Sequence, residues 1–399
     1  MSAEIRETVI LGGARTPFGK LGGSLASLSA VDLGAIAATA ALERSCIAPD
    51  AVENTIFGQV LQGGAGQNPA RQVALKTGIG VQVPAETINR VCGSGMRALT
   101  LADTLVRARD FDVVLAGGME SMSNAPFILR KARGGYRMGD GVLEDMMIGD
   151  GLRCAVAGVH MGIHGGNVAA EEHLSREEQD AWALRSHQRA IAAQEAGRFD
   201  REIVPVEIAA KSSATVVSVD EAPRRDTNEE ALARLKPAFD PEATVTAGNA
   251  PGVNDGAAAL VVASSGWARN QGLSAHARIL AHAAAAWDVP YLAYTPAMAA
   301  EKALAKIGME PSDVDLWEIN EAFASVPLIS GRRLGIDMDR VNVNGGAIAL
   351  GHPIGASGAR ITLTLIEELR RRGGGLGVAA ICSGGGGGDA IILDVPGAA

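Results

Sequence analysis

Apolar and polar residues follow two different periods along the chain. Residues 29–45, SAVDLGAIAATAALERS, carry apolar side chains at helical spacing, whereas NTIFGQVL (54–61) and FDVVLAGG (111–118) are short apolar runs typical of buried strands. Helix-like and strand-like segments alternate in both halves of the chain. This alternation indicates layered α/β structure with a parallel or mixed sheet.

An internal repeat relates the two halves. IAPDAVENTIFGQV, beginning at Ile47, matches MEPSDVDLWEINEA, beginning at Met309, with proline, valine and an acidic residue in register at a shift of 262. SGMRAL at 94 matches SGARIT at 357 with a shift of 263, and VVLAGG at 113 matches VAAICSGG at 378 with a shift of about 265. Several matches in order predict a duplicated framework whose loops differ slightly in length.

The middle of the chain predicts an insertion. Residues from about 121 to 275 have no counterpart in the other half. They contain LSREEQD, where Ser175 followed by Glu178 three residues later forms a capping box, and the amphipathic run that follows ends near Gly197. We therefore expect one long helix within the inserted segment.

Composition and charge narrow the class of protein. Apolar residues make up 47% of the chain and charged residues 20%, so the chain can bury a large core and is not disordered. The net charge of −9 argues against nucleic-acid binding, which needs a basic face. The 4 cysteines lie far apart without C-x-x-C spacing, which fits a reducing compartment better than a zinc site or a disulfide framework. With no leader and no apolar stretch of membrane-spanning length, we expect a cytoplasmic protein without a membrane partner.

Cys92 and His352 are the first candidates for chemistry. In VCGSGMRAL, Cys92 lies where an apolar run ends, glycines open a turn and a helix begins. Because a helix N-terminus favours a thiolate, this position predicts a lowered thiol pKa. His352 lies in the glycine-rich NVNGGAIALGHPIGASGAR, and the repeat places it where the first copy has its cysteine. The pair indicates a nucleophile and its base.

Cys382 and Asn320 complete the candidate set. Cys382 stands just before a run of glycines, whose backbone N–H groups can approach an oxyanion. Asn320 follows the apolar strand of WEINEAFA, and taken alone it fits a strand-end turn equally well. Two thiols, one imidazole and one amide suit acyl transfer. One cysteine would attack a thioester or ketone carbonyl, the histidine would take its proton, and the second cysteine would move a proton on carbon.

These segments resemble the thiolases, most closely the branch that cleaves acetoacetyl-CoA. The resemblance covers nearly the whole chain and includes ARTPFGK, NRVCGSGMRAL, GGMESMSNAP, RGGYRMGD, NEAFA and GGAIALGHPIGASGAR. It implies a duplicated, layered α-β-α-β-α fold with two similar halves containing mixed sheets. The N-terminal half would comprise residues 1–120 and 248–275, the C-terminal half residues 276–399, and an inserted CoA-binding loop domain residues 121–247.

The resemblance also implies a role for each polar group. Cys92 would be acylated by a 3-oxoacyl-CoA, with His352 as its base. Cys382 would protonate the departing enolate, or remove the α-proton of acetyl-CoA in the condensation direction. His352, and Asn320 acting through a water, would stabilise the enolate oxygen, while the N–H groups of Cys92 and Gly384 would hold the oxyanion of the tetrahedral intermediate. No metal or organic cofactor is implied, since coenzyme A is itself a substrate.

Eight further residues align with positions that contact CoA or the acyl group in thiolases. They are Leu152, His160, Arg224, Phe239, Ala247, Pro251, Leu292 and Phe323. This chain departs from the family pattern at four places. Pro251 replaces a serine, Leu292-Ala293 replaces Met-Gly, His164 replaces threonine and Ser383 replaces isoleucine. The departures leave the reaction class intact and bear on chain-length preference and CoA affinity.

The leading hypothesis is reversible Claisen chemistry, acetoacetyl-CoA plus CoA giving two acetyl-CoA, within fatty acid metabolism. The alternative is a degradative 3-oxoacyl-CoA thiolase acting on longer chains. A decarboxylating ketoacyl synthase would need histidines at Asn320 and Cys382, and a CoA-binding protein without catalysis would not need all four polar groups. The resemblance further implies a homo-oligomer, a dimer of dimers joined through the segment of RGGYRMGD.

Overall fold

The structure, a computed structural model, describes residues 6–209 and 214–398. The outer ends of the predicted halves, at residues 1 and 399, lie outside the described residues. Within them, the strands are β1 Thr8–Arg15, β2 Gly19–Lys20, β3 Asn54–Gly58, β4 Ala85–Ile88, β5 Val113–Ser121, β6 Phe127–Leu129, β7 Leu143–Asp145, β8 Val206–Ile208, β9 Thr215–Val217, β10 Asn254–Ser264, β11 Ala277–Ala286, β12 Leu316–Ile319, β13 Gly374–Ser383 and β14 Gly387–Pro396. The helices are α1 Ala30–Arg44, α2 Pro69–Lys76, α3 Ser94–Ala108, α4 Met161–Glu171, α5 Arg176–Glu195, α6 Glu229–Ala233, α7 Ser265–Asn270, α8 Thr295–Ala305, α9 Ser325–Leu334, α10 Ala347–Leu350 and α11 Ser357–Arg371.

The strand order of the main sheet shows the duplication. Its strand order is β12-β13-β14-β11-β1-β10-β5-β3-β4. Read outward from the centre, β1-β10-β5-β3 is repeated as β11-β14-β13-β12, and the two sets join where β1 pairs antiparallel with β11. Each central strand also has a bulge at the same place, between Ile10 and Gly12 in β1 and between Ile279 and Ala281 in β11. The predicted duplication is therefore confirmed by topology and register.

Helices cover the outer face of each half of this sheet, and two further helices form a layer between the halves. Helices α3 and α11 pack against each other and against β5 and β13, so they lie between the two halves of the sheet. Helices α1 and α2 cover the outer face of the first half, and α8 and α9 cover that of the second. The predicted α-β-α-β-α layering is confirmed. Because both faces of most strands are covered, their apolar runs are continuous rather than alternating.

Local sequence signals explain the helix ends. Helix α1 begins after Ser29, whose side chain accepts from the N–H of Asp32, and the Asp32 carboxylate accepts in return from the N–H of Ser29. The capping box predicted at Ser175 and Glu178 is present and begins α5, which ends two residues before the predicted end near Gly197. Both are reciprocal caps that satisfy free N–H groups of the first turn.

One predicted strand is shorter than its apolar run. NTIFGQVL continues to Leu61, but β3 ends at Gly58. The N–H groups of Val60 and Leu61 donate instead to the two carboxylate oxygens of Glu120, at 3.0 and 3.1 Å. A buried carboxylate therefore replaces a neighbouring strand as the hydrogen-bond partner, and the chain turns there.

The segment between β5 and β10 carries two small hairpins, β6–β7 and β8–β9, and the helices α4, α5 and α6. It packs on the second half through contacts of α4 with α9 and of α5 with α10. A buried ion pair also fastens it to β1, because Arg15 donates two hydrogen bonds to Asp220, at 2.7 and 2.9 Å.

The division into domains at residues 120, 247 and 275 stays a prediction. Among the described residues, no helix is long and apolar enough to cross a membrane.

Candidate active site

A single mostly apolar cleft of about 280 Å³ receives most of the predicted polar residues. Both halves contribute, because Cys92 comes from the loop before α3 whereas His352, Cys382 and Gly384 come from the second half. Thus residues up to almost three hundred positions apart in the chain share one small space. The proximity on which the acyl-transfer hypothesis depended is present.

The turn that presents Cys92 is held by backbone and side-chain hydrogen bonds. The N–H of Gly93 donates to the carbonyl of Arg90 at 3.1 Å, and the N–H of Arg90 donates to Ser94 Oγ at 2.8 Å. Between them, Val91 has a φ of 48°, a left-handed conformation that is strained for a β-branched residue. Helix α3 begins two residues after Cys92, as predicted. The half-buried thiol therefore projects from a constrained elbow.

The lowered pKa predicted for Cys92 is wrong. Burial raises the pKa of the Cys92 thiol to about 11, although the backbone N–H groups of Gly384 and of Cys92 itself act in the opposite direction. The sequence shows the helix terminus beside Cys92, but it does not show the apolar side chains that surround the thiol, which include Met122 and Ile354. Desolvation of the charged form outweighs the N–H groups here. At neutral pH, Cys92 is therefore a neutral thiol.

His352 is held as a neutral imidazole by a hydrogen bond at Nδ1. Its Nδ1 lies 2.6 Å from Ser357 Oγ, and that hydroxyl donates to the carbonyl of Pro353 at 2.9 Å. Since the one hydroxyl proton is used, Nδ1 must carry the proton and donate to Ser357. Nε2, which has no hydrogen-bond partner among residues 6–209 and 214–398, then holds a lone pair. Burial, and secondarily the charge of Arg360, lowers the pKa of His352 to about 3.

The repeat relates the positions of Cys92 and His352 only approximately. Cys92 stands two residues before the first residue of α3, whereas His352 stands five residues before that of α11. Both therefore lie on equivalent loops, as predicted, but not at equivalent positions. The loop of His352 is fixed by its own N–H, which donates to Asn254 Oδ1 at 2.9 Å.

Cys382 lies near the end of β13 and is completely buried. Burial raises the pKa of its thiol well above the ordinary value, and the nearby Cys92 contributes in the same direction. The cleft thus brings two neutral thiols together with a neutral imidazole. These three groups can give protons to a reacting substrate or take protons from it, and none of them has to be charged in the apolar cleft beforehand.

Comparison with known proteins agrees with this geometry. Residues 8–266 match the thiolase N-terminal domain, and residues 273–395 match the thiolase C-terminal domain. The chain belongs to the thiolase family. It is 49% identical to the acetyl-CoA acetyltransferase of Escherichia coli (strain K12), over 98% of this chain and 99% of that one. It is 50% identical to a probable acetyl-CoA acetyltransferase of Mycobacterium leprae (strain TN), over 97% and 98% of the two chains.

The fold comparison gives the same family. The crystal structure of the Bacillus anthracis acetyl-CoA acetyltransferase matches this thiolase with a TM-score of 0.96 and 41% sequence identity, covering 99% of this chain and 100% of that one. The resemblance inferred from the sequence motifs is thereby confirmed, and with it the fold class.

Asn320 is close to the site but does not line the cleft of this thiolase. It follows β12, and its backbone N–H donates to the carbonyl of Ala380 at 2.9 Å. Its side chain is buried, and neither the amide nitrogen nor the amide oxygen finds a hydrogen-bond partner within the described part of the chain. Buried amides are rarely left unpaired. Asn320 therefore has free hydrogen-bonding capacity of the kind that its predicted role through a water requires.

Six of the eight residues predicted to contact CoA or the acyl group line the cleft: Leu152, His160, Phe239, Pro251, Leu292 and Phe323. His160 and Phe239 stack with ring centroids 4.1 Å apart, and His160 Nδ1 accepts from the N–H of Gly162 at 3.1 Å. Burial lowers the pKa of His160, so this residue lines the cleft as a neutral imidazole.

The other two predicted contact residues lie outside the cleft lining. Arg224 and Ala247 meet each other, since the guanidinium of Arg224 donates to the carbonyl of Ala247 at 3.5 Å. The N–H of Arg224 donates to His187 Nδ1 at 3.1 Å. The predicted role of Arg224 toward the nucleotide end of CoA remains a prediction.

Sequence reasoning missed three residues that organise the site. Ser357 fixes the tautomer of His352, Asn254 holds its backbone, and Glu120 joins the two halves. Glu120 accepts from the N–H of Gly355 at 3.0 Å in addition to the loop after β3, and burial raises the pKa of its carboxyl to about 7. Ser357 lies five residues from His352 in GHPIGAS, which was a usable signal. Glu120 and Asn254 gave none, because their partners are distant in the chain.

Proposed function

We propose that this thiolase catalyses the reversible reaction of acetoacetyl-CoA with CoA to give two acetyl-CoA, through an acyl group on Cys92. The observation that carries the proposal is the convergence of Cys92, Cys382 and the free Nε2 of His352 on one apolar cleft. The named relatives, acetyl-CoA acetyltransferases, support the same reaction.

In the cleavage direction, the sulfur of Cys92 attacks the ketone carbon of acetoacetyl-CoA while His352 takes the thiol proton. The oxygen becomes an alkoxide facing the N–H groups of Cys92 and Gly384. When the C2–C3 bond breaks, the electron pair passes to the enolate of acetyl-CoA, and Cys382 supplies the proton on carbon. The acetyl group stays on Cys92 as a thioester.

Coenzyme A then completes the cycle. The protonated His352 first returns its proton to the Cys382 thiolate, so that both groups are neutral again. His352 then deprotonates the thiol of CoA, which attacks the acetyl thioester and releases the second acetyl-CoA, and the departing Cys92 thiolate takes the proton from His352. A single donor to a developing oxyanion contributes about 3 kcal/mol to such a transition state. We expect the reaction to need no metal or organic cofactor, because each proton and each developing charge has a side chain or N–H group to meet it.

Leu292 supports a short acyl group. It lies in the short 3₁₀ helix Val289–Tyr294, is buried and lines the cleft, and Ala293 beside it is fully buried. Its side chain occupies space in the cleft without adding a polar group. Pro251, also in the lining, offers the pantetheine neither a hydroxyl nor an N–H, so CoA would be held mainly by apolar contact there.

A second copy of the chain is the proposed protein partner. The hairpin β6–β7 and its loop carry exposed Phe127, Met138, Val142 and Leu143, and Met138 is 95% exposed. Exposed apolar side chains close together in one loop mark an interaction surface. We propose that this loop joins dimers into a homotetramer, that the enzyme works in the cytoplasm, and that it serves fatty acid metabolism.

Two measurements test the proposed reaction. Incubation with acetyl-CoA followed by intact mass and peptide mapping should show acetyl on Cys92, and an unmodified protein would refute covalent catalysis. Comparison of kcat/KM for acetoacetyl-CoA and 3-oxooctanoyl-CoA should favour the shorter substrate. A strong preference for the longer one would instead establish a broader-chain thiolase.

A further inference from the structure

Three polar side chains on the loop of Cys92 and the hairpin of Cys382 have no part in the chemistry described above: Arg90, Ser383 and Asp389. Asp389 lies in β14 and is buried, with one carboxylate oxygen 3.1 Å from Arg90 Nη1. Its other oxygen, and the hydroxyl of buried Ser383, find no hydrogen-bond partner in the regions that the structure describes. Both free oxygens face Gly93, since a Cβ added there would lie 2.6 Å from Ser383 Oγ and 2.8 Å from Asp389 Oδ2.

The ion pair connects the two thiol loops. Arg90 lies two residues before Cys92, at the base of the elbow. Asp389 pairs in register with Ile381, on the hairpin that carries Cys382 and turns at the glycines after it. Arg90 and Asp389 therefore tie the loop of Cys92 in the first half to the hairpin of Cys382 in the second.

A second contact lies beside the first. A Cβ added to Gly384 would lie 3.1 Å from Val91 Cγ1, so the strained residue of the elbow packs against the glycine that donates to the oxyanion. The elbow thus meets the hairpin through an ion pair at Arg90 and through packing at Val91. Small shifts between the loops would separate the N–H groups of Cys92 and Gly384, which must converge on one oxygen.

Stability alone does not account for Asp389. The Asp389 side chain is 3% exposed and that of Arg90 is 41% exposed, so a carboxylate is buried while its partner reaches solvent. A buried charge with one unpaired oxygen costs free energy that an apolar strand residue would not. Removal of the carboxylate would leave only a guanidinium that water can solvate.

We propose that Asp389 and Arg90 are positioning residues that hold the Cys92 elbow against the Cys382 hairpin, so that both oxyanion donors point to one place. This inference rests on the proposed function, because its main effect is on acyl transfer to Cys92. The two side chains touch neither substrate nor the reacting atoms.

The test is a double-mutant cycle with Asp389→Val, Arg90→Gln and the double variant. Acetylation of Cys92 by acetyl-CoA is measured by rapid quench and intact mass. Each single variant should slow it about 5- to 50-fold, as expected for a misplaced oxyanion donor. KM for acetoacetyl-CoA should change less than about twofold on the same reasoning. The double variant should be no slower than the slower single variant, and Arg90→Lys should recover part of the rate.

Two further readouts separate positioning from folding. The Tm of Asp389→Val should equal or exceed that of the wild type. The matched control Arg109→Gln, at the exposed far end of α3 and without an ion pair among the described residues, should acetylate at the wild-type rate. The rate of Cys92 alkylation by iodoacetamide should differ between Asp389→Val and wild type, whether or not the enzyme uses acetyl-CoA.

The outcomes distinguish the two proposals. Additive losses in the double variant, wild-type acetylation by Asp389→Val, or equal losses of Tm and rate would overturn the positioning role. A wild-type protein that never acetylates Cys92 would instead overturn the proposed function, and unchanged alkylation in Asp389→Val would then dispose of the positioning role as well.

Discussion

Replacement of Ser357 by alanine gives a sharp test of how His352 is made a base. The hydroxyl of Ser357 accepts from Nδ1–H of His352 and donates to the carbonyl of Pro353. Without it, the buried Nδ1–H has no acceptor, and the tautomer with the proton on Nε2 is no longer disfavoured. That tautomer cannot take the proton of Cys92.

The magnitude follows from the single hydrogen bond that is lost. A buried donor left unpaired costs about 1–3 kcal/mol. If that loss falls on the active tautomer, and since 1.36 kcal/mol is a tenfold change in rate, acetylation of Cys92 should slow about 5- to 150-fold. Because Ser357 does not line the cleft, KM for acetoacetyl-CoA should change little.

The assay is the rate of Cys92 acetylation by acetyl-CoA, read by intact mass. Thr362→Val is a matched control, since Thr362 is a buried hydroxyl on the same helix α11 and donates to the carbonyl of Gly358 at 2.8 Å, away from the cleft. If Ser357→Ala acetylates within about twofold of wild type while both variants lose similar stability, the tautomer argument is wrong.

Three more predictions concern the same site. Cys92→Ala should abolish acetylation, whereas Cys382→Ala should still be acetylated but lose carbon–carbon exchange between acetyl-CoA and acetoacetyl-CoA; identical behaviour would refute the division of labour between the thiols. Leu292→Ala, which widens the cleft, should raise kcat/KM for 3-oxooctanoyl-CoA relative to acetoacetyl-CoA, and an unchanged ratio would show that another residue limits chain length. The folded protein holds a proton on Glu120 up to about pH 7, whereas the unfolded chain loses it near pH 4.5. The free energy of unfolding should therefore decrease as the pH rises from about 4.5 to about 7, by at most about 1.4 kcal/mol per pH unit from this group. Urea denaturation of Glu120→Gln should show a shallower decline, and equal slopes would mean that Glu120 is ionised throughout.

Much of the fold could be predicted from the sequence because its signals are local. The capping box at Ser175, the helical period of residues 29–45 and the short apolar strands are all confirmed. The repeat predicted two similar halves, but not that β1 and β11 pair to join them in one sheet. That pairing joins strands about 270 positions apart, and neither strand differs in composition from its neighbours.

The site was predictable in its reacting groups and not in their environment. Cys92, His352 and Cys382 stand in glycine-rich turns that the sequence displays. Whether a thiol is charged depends instead on what surrounds it, and the apolar walls that raise the pKa of Cys92 come from distant segments. For the same reason Glu120 was missed, since its three N–H partners come from two loops far from it in the chain.

The duplication itself explains why the nucleophile and the base meet. Gly95 in α3 and Gly358 in α11 are equivalent by the shift of 263, and each lies where its helix touches the other. A Cβ on Gly95 would lie 2.9 Å from the N–H nitrogen of Ala359, and one on Gly358 would lie 2.3 Å from that of Met96. The Ser-Gly pair that begins both repeated segments is therefore the place where the helices cross. Since Cys92 and His352 lie on the loops that lead into these helices, the contact that required the repeated glycines also brings the thiol and the imidazole to the same cleft.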